Sequence, residues 1–241
     1  MTLPDVYPDN WLFVHDINFF SLLDGRVILL DLAAENHNYK GAIGAAQFAS
    51  FIEAETRPEL YVAETFYSRG TRGDRIDVLT IYDKATLSPI DEIVLPDGKR
   101  SQVVSLKSTL QLSHDEKLLF VFNFTPAASV YVIDIEGRSI LNEIQIPGCT
   151  QIYPTSEWGF ATMCANGTMV AFQLDATGQI IERTSTPSFN DIDADPLFMT
   201  YATIGNVLYF PSFMGRLQPV DLSGTTAKVL PAWSLLGKKD K

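Results

Sequence analysis

Short runs of β-branched and aromatic residues recur along the chain, and each run ends in an aspartate that is followed by a turn. The spacings between the final aspartates are 52, 51, 41 and 46 residues. A period of roughly 40–50 residues is typical of β-propeller blades, each of which is a four-stranded antiparallel sheet. The pattern therefore predicts an all-β fold, a β-propeller of about five blades that forms a single domain over residues 1–241. The five runs are 26–31, 77–83, 130–134, 169–175 and 216–221.

Within each repeat, an apolar run that we predict to be an inner strand precedes the aspartate-terminated strand. The predicted outer strands 90–95 and 140–146 alternate apolar and polar residues, the period of a half-buried strand. Asp134, Asp175 and Asp221 each stand three residues before a glycine, which predicts hairpin turns in which the carboxylate accepts a backbone N–H. Helical signal is weak, and its best candidate is 42–55, for which the alternative is an irregular segment. The predicted inner strands are 11–14, 60–63, 118–122, 159–163 and 207–210.

Composition and charge narrow the possible partners. Hydrophobic residues make up 46% of the chain and charged residues 20%, which is ordinary for a globular protein with a large core. The formal net charge is −11, and this disfavours nucleic acid and anionic membrane surfaces, because both are bound through clustered Lys and Arg. No apolar run reaches the ~18 residues of a spanning helix. We therefore expect neither nucleic acid nor a membrane as a partner.

The two cysteines, Cys149 and Cys164, flank a segment with a strand–turn–strand pattern. Their spacing alone allows either a disulfide across adjacent antiparallel strands or two buried free thiols. Neither cysteine belongs to a CxxC pair, which disfavours redox catalysis and a zinc site.

Two further motifs have ordinary structural explanations. Asp191, Asp193 and Asp195 alternate like the start of an EF-hand loop, but the sixth position is a proline and the twelfth an alanine where glycine and glutamate are required. We therefore predict a polar loop and no metal site. The segment 68–75 spells an adhesion-type Arg-Gly-Asp sequence, and a glycine-rich connecting loop with a basic spot explains it.

Catalytic motifs are missing from the sequence. There is no G-x-S-x-G elbow, no H-E-x-x-H pair and no glycine-rich phosphate loop. The recurring aspartates fall at predicted hairpin turns, where structure alone accounts for them. The sequence thus favours a scaffold or subunit without catalytic residues over an independent hydrolase that uses carboxylates in a propeller channel.

Several segments resemble the heavy subunit of quinoprotein amine dehydrogenases. Segments 67–83, 91–96 and 125–134 are similar to blade sequences of that family, and the stretch 146–167 looks like its cysteine pair with the intervening hairpin. Near the end, 231–236 resembles the aromatic amine dehydrogenase branch more than the methylamine branch. The likeness extends over nearly the whole chain.

The resemblance implies a periplasmic hetero-tetramer of two heavy and two light subunits that oxidatively deaminates primary aromatic or alkyl amines. The light subunit carries the tryptophan tryptophylquinone cofactor and the catalytic aspartate, and electrons leave to a blue copper protein. This chain would be the heavy subunit, with no cofactor of its own and no catalytic residue, and it would scaffold the light subunit. Cys149 and Cys164 would form a disulfide. Phe19 or Phe20 is the nearest match to an aromatic residue that lines the substrate entrance, and ordinary loop packing is the alternative.

The number of repeats departs from the resemblance. The family's heavy subunit is a seven-bladed propeller, whereas the sequence predicts about five blades. We therefore expect either a fragment of the family's ring or a smaller ring closed by five blades. The rival function is a stand-alone propeller that only binds a partner, as repeat scaffolds commonly do.

Overall fold

The computed structural model describes residues 2–4, 6–17, 22–46, 48–102, 105–155 and 158–237. Within these residues the chain forms five antiparallel sheets of the propeller-blade type, and its helical content is limited to three single turns of 3-10 helix. The all-β propeller class is therefore confirmed. The chain divides into two compact units, Met1–Leu110 with Asn123–Pro126, and Gln111–Phe122 with Ala127–Lys241. A single domain over the whole chain stays a prediction.

The first unit contains two sheets, with strands in the orders β1-β2-β3 and β4-β5-β6-β7. Their facing sides share a core that includes Val27, Ile43, Leu60 and Val62. The strands are β1 (Trp11–Asp16), β2 (Arg26–Asp31), β3 (Tyr39–Gly44), β4 (Ser50–Glu53), β5 (Glu59–Tyr67), β6 (Arg75–Asp83) and β7 (Pro89–Leu95). The 3-10 turns are Leu22–Asp24, Pro96–Gly98 and Lys107–Thr109.

Most of the third sheet and all of the fourth and fifth belong to the second unit. One core joins the third and fourth sheets around Phe120, Phe160 and Phe172, and another joins the fourth and fifth around Tyr153 and Phe210. The third sheet contains β8 (Leu110–Leu112), β9 (Leu118–Asn123), β10 (Ser129–Asp134) and β11 (Ser139–Gln145). The fourth contains β12 (Cys149–Pro154), β13 (Gly159–Cys164), β14 (Met169–Leu174) and β15 (Ile180–Ser185). The fifth contains β16 (Ala202–Ile204), β17 (Val207–Pro211), β18 (Arg216–Asp221), β19 (Lys228–Val229) and β20 (Trp233–Ser234).

The recurring aspartates close the hairpins, as their position at the strand ends predicted. Each carboxylate accepts a backbone N–H two or three residues further along the chain, which fixes the start of the turn. The pairs of amide donor and carboxylate acceptor are Ala33 with Asp31 (3.0 Å), Thr86 with Asp83 (2.7 Å), Glu136 with Asp134 (3.0 Å), Thr177 with Asp175 (2.8 Å) and Ser223 with Asp221 (2.8 Å).

Two details of the strand assignment were wrong. In the second to fifth sheets, each strand that we predicted to be the inner strand is the second strand of its sheet. An unpredicted strand comes before it in sequence and occupies the edge; these edge strands are β4, β8, β12 and β16. The helix candidate 42–55 contains the end of β3 and all of β4. Its apolar positions are used by cross-strand pairs, such as Ile43 with Val27. No helix in the described part of the chain is long and apolar enough to span a membrane.

Candidate functional site

A cavity of about 320 Å³ opens in the first unit. Its lining comes from both sheets of that unit: residues of 23–26 and 39–46 on one side, and Glu64, Phe66 and Tyr82 on the other. We call it the Glu64 cavity. Side chains alternate along a strand, so residues 60, 62, 64 and 66 of β5 share the face that meets the first sheet. The apolar members of this row fill the core, and the row ends at the cavity with Glu64 and Phe66.

Glu64 is a carboxylate that is almost completely buried, with 2% of its surface exposed. Its Oε2 accepts the backbone N–H of Ala46 at 2.9 Å, and its Oε1 accepts the hydroxyl of Thr80 at 2.7 Å. Burial raises the pKa of Glu64 above its ordinary value, while the bonds from Thr80 and Ala46 act in the opposite direction. The side chain is therefore held in one orientation by two donors from different strands or loops.

Three aromatic side chains, Tyr39, Phe66 and Tyr82, contribute to the lining. Tyr82 is buried, its hydroxyl donates to the Gly44 carbonyl at 3.4 Å, and burial followed by the charge of Glu64 raises its pKa to about 12. Tyr39 and Phe66 are exposed, and both line the cavity. The cavity thus combines three aromatic side chains with a carboxylate held by two hydrogen bonds.

The rim of the Glu64 cavity carries an ion pair between Asp24 and Arg26. Arg26 Nη2 lies 3.0 Å from Asp24 Oδ1, and both side chains are well exposed. An exposed pair of this kind contributes little stability. Its charges compensate each other, and Glu64 is the other acidic side chain of the lining.

Gly25 allows the backbone of the first sheet to close around the cavity. A Cβ at this position would lie 2.3 Å from the carbonyl oxygen of Ala45. The Ala45 N–H also donates to the Gly25 carbonyl at 2.9 Å. Any side chain at Gly25 would therefore displace a segment that lines the cavity.

The opposite face of β5 carries a buried polar cluster with a structural role. Asp77 is bonded by the guanidinium of Arg75, by the hydroxyl of Thr65 and by the backbone N–H of Arg100. The Arg100 guanidinium donates to Thr65 and to the carbonyls of Phe48 and Ser101, and burial lowers its pKa to about 10. Arg75, the last residue of segment 68–75 and the first of β6, thus helps to hold the sheet together.

The cysteines lie opposite each other on β12 and β13 and form a disulfide. Of the two alternatives that spacing left open, the structure contains the disulfide, which confirms what the resemblance implied. The bond closes the hairpin at the end where β12 begins.

The alternating aspartates form a turn, as predicted. Asp191 Oδ1 accepts the amide of Ala194 at 3.0 Å, and Asp195 pairs with Arg216 at 2.5 Å. Among the described residues, no three His, Cys, Asp or Glu side chains are grouped so that they could hold a metal ion.

Phe19 and Phe20, the candidates for the substrate entrance, lie outside the described residues, and their role stays a prediction. The described chain resumes at Leu22, and the next two residues, Leu23 and Asp24, line the Glu64 cavity. Sequence reasoning missed Glu64 itself. The available signal was a charged residue directly after the apolar run 60–63, at a position that the period of two assigns to the core.

Residues 10–241 match the family model of the methylamine dehydrogenase heavy chain. The methylamine dehydrogenase heavy chain of Methylophilus methylotrophus is 28% identical over 205 residues, which are 83% of this chain and 49% of that protein. The heavy chain of Methylorubrum extorquens is 29% identical over 170 residues, 70% of this chain and 42% of that protein. The chain thus spans about half the length of the curated relatives it matches.

Solved structures show the same fold at low identity. Dihydro-heme d1 dehydrogenase NirN, in complex with DHE, superposes with a TM-score of 0.60 at 15% identity, over 96% of this chain and 45% of that one. BamB from Moraxella catarrhalis superposes with a TM-score of 0.52 at 17% identity, over 88% of this chain and 53% of that one. These likenesses concern the fold alone, since fold does not imply function.

Proposed function

Because the chain belongs to the methylamine dehydrogenase heavy chain family, we propose that it acts as the non-catalytic heavy subunit of an amine dehydrogenase. The observation that carries this proposal is the family match over residues 10–241. In the assembly, two heavy and two light subunits oxidatively deaminate primary aromatic or alkyl amines in the periplasm, and a blue copper protein accepts the electrons. The segment 231–236 favours an aromatic amine as substrate.

The tryptophan tryptophylquinone cofactor belongs to the light subunit in this proposal, where it supplies the oxidation of the amine. The three tryptophans of this chain are engaged in separate packing contacts, which supports that assignment. The Trp11 ring stacks on Tyr7 with ring centroids 5.4 Å apart, and the Trp158 Nε1 donates to Asp115. Trp233 packs edge-on near Tyr209, with centroids 6.0 Å apart.

In this proposal, the chain positions the amine substrate. We assign the substrate entrance to the connection between β1 and β2, where Phe19 or Phe20 provides the aromatic side chain. The described end of this connection supports the assignment, because Leu23 and Asp24 line the Glu64 cavity. The heavy subunit would thus shape the path by which an amine reaches the quinone on its partner.

Co-expression with the cognate light subunit tests the proposal. We expect the two chains to co-elute in size-exclusion chromatography as one complex with quinone absorbance, and the light subunit expressed alone provides the baseline. A light subunit that elutes separately would contradict the proposal and favour the stand-alone propeller. Amine oxidation by the isolated heavy chain would contradict its non-catalytic role.

A further inference from the structure

The Glu64 cavity has the features of a ligand site that the packing of the propeller does not require. A buried carboxylate in a core usually pairs with a cation or is fully surrounded by donors. Glu64 instead accepts two neutral donors, Ala46 N–H and the Thr80 hydroxyl, and borders a space open to solvent. Each carboxylate oxygen can accept a further hydrogen bond.

Glu64 interacts with charged side chains on other elements of the first unit. At the rim, Asp24 and Arg26 compensate each other. Glu92 of β7 adds a negative field, and Arg100 adds a positive one from the other face of β5. The described hydrogen bonds of the Arg100 guanidinium go to Thr65, Phe48 and Ser101, on the far side of the strand from the cavity.

This arrangement selects a particular kind of ligand. A negative ligand would meet a carboxylate, and a divalent metal ion prefers several oxygen ligands where the interior offers one carboxylate. An ammonium group has three N–H donors and a positive charge, so it can bond a carboxylate with charge assistance. Aromatic faces such as those of Tyr82 and Phe66 attract cations and cover apolar carbon.

We propose that the Glu64 cavity binds a small primary ammonium ion, with the Glu64 carboxylate accepting its N–H groups and Tyr39, Phe66 and Tyr82 covering the carbon substituent. This inference deepens the proposed function and rests on it for the biological source of the ligand, a primary amine substrate. The cavity would then be a docking place for the protonated amine on the heavy subunit.

Titration calorimetry on the full chain tests the site, with benzylammonium as the probe and benzyl alcohol as its neutral analogue. We expect saturable one-to-one binding of benzylammonium that is at least about tenfold tighter than binding of the alcohol, because only the cation can use the carboxylate charge. Equal binding of both compounds, or no saturable binding of benzylammonium, would overturn the proposal.

Substitutions test whether benzylammonium binds at the Glu64 cavity. Glu64→Gln should weaken benzylammonium binding about tenfold or more, whereas Glu143→Gln, a matched change at a carboxylate bonded to Ser129 in the second unit, should leave it unchanged. Phe66→Ala changes an exposed residue and should weaken binding while the chain stays folded, so it tests the site even if Glu64→Gln unfolds the chain. Unchanged binding in folded Glu64→Gln, or in Phe66→Ala where Glu64→Gln does not fold, would contradict the proposal.

The two proposals fail in different ways. A chain that assembles with the light subunit but does not bind benzylammonium would overturn the cavity assignment alone. A chain that binds benzylammonium but does not assemble would overturn the heavy-subunit function and leave the site in place.

Discussion

Arg75 and Asp77 form a two-point ion pair on β6, with Arg75 Nε 2.9 Å from Asp77 Oδ1 and Arg75 Nη2 2.9 Å from Asp77 Oδ2. The two residues are neighbours on the same face of the strand, because side chains alternate. The Asp77 side chain has no exposed surface and also accepts the Thr65 hydroxyl and the backbone N–H of Arg100. One carboxylate therefore joins β5, β6 and the segment that follows β7.

Asp77→Asn should destabilise the protein by about 3 kcal/mol, because it removes one partner of a buried ion pair and leaves Arg75 and Arg100 without the charge they face. Urea unfolding followed by tryptophan fluorescence measures the change. Asp74→Asn, three residues away on the exposed loop, is the matched control and should change stability by less than ~0.5 kcal/mol. Equal stability of the two variants would show that the cluster is not structural.

Gly25→Ala should destabilise the first unit by roughly 1–3 kcal/mol, because the new methyl group would lie on the Ala45 carbonyl oxygen and force the backbone apart. Gly224→Ala is the control, since the nearest atom to a Cβ there is 4.0 Å away. Thermal unfolding by circular dichroism distinguishes the two variants. A melting temperature for Gly25→Ala equal to that of the control would contradict the close approach.

Replacement of both cysteines by serine should lower the unfolding free energy by ~3 kcal/mol, the chain-entropy value for a closed loop of about 15 residues. The loop length follows from the separation of 15 residues between Cys149 and Cys164. Denaturant midpoints with and without reductant measure the effect, and reduction should shift the wild type but not the serine variant. Two titratable thiols in the native, unreduced protein would refute the disulfide.

The contribution of Glu64 to the free energy of unfolding should fall as the pH rises. Its pKa is higher in the folded state than the ordinary value of 4.5, and burial is the main cause. Folding therefore favours the protonated acid, and this contribution is complete below pH ~4.5 and is lost as the pH rises through the folded-state pKa. Relative to the wild type, Glu64→Gln should gain stability as the pH rises from 4 to 7.5.

Unfolding curves of both proteins across that range test this prediction. A stability difference that is independent of pH would show that Glu64 titrates normally in the folded state. The same measurements establish whether the variant is folded under the conditions used for ligand titration.

Local patterns determined the strands and hairpins of this protein. The period of two and the aspartate at each strand end act over a few residues, so β2, β6, β10, β14 and β18 could be predicted within one or two residues. The turn chemistry was equally local, because a carboxylate such as that of Asp175 reaches an amide only two residues away. The cysteine pairing required the family resemblance, since spacing left two alternatives.

The edge strands and the Glu64 cavity were decided by contacts between residues distant in sequence. β4 and β16 show little alternation of apolar and polar residues. They become strands because a longer neighbouring strand supplies partners for their backbone hydrogen bonds, as β5 does where Ala63 lies opposite Ser50. Arg100 follows a turn in a charged segment, and only its bonds to Thr65, 35 residues earlier, place it in the interior. Glu64 likewise became a site residue when the fold brought Ala46 and Thr80 to its two oxygens. The sequence determined which segments form strands and turns, because those interactions are short-range, and the tertiary structure alone determined which charges are buried and where a cavity opens.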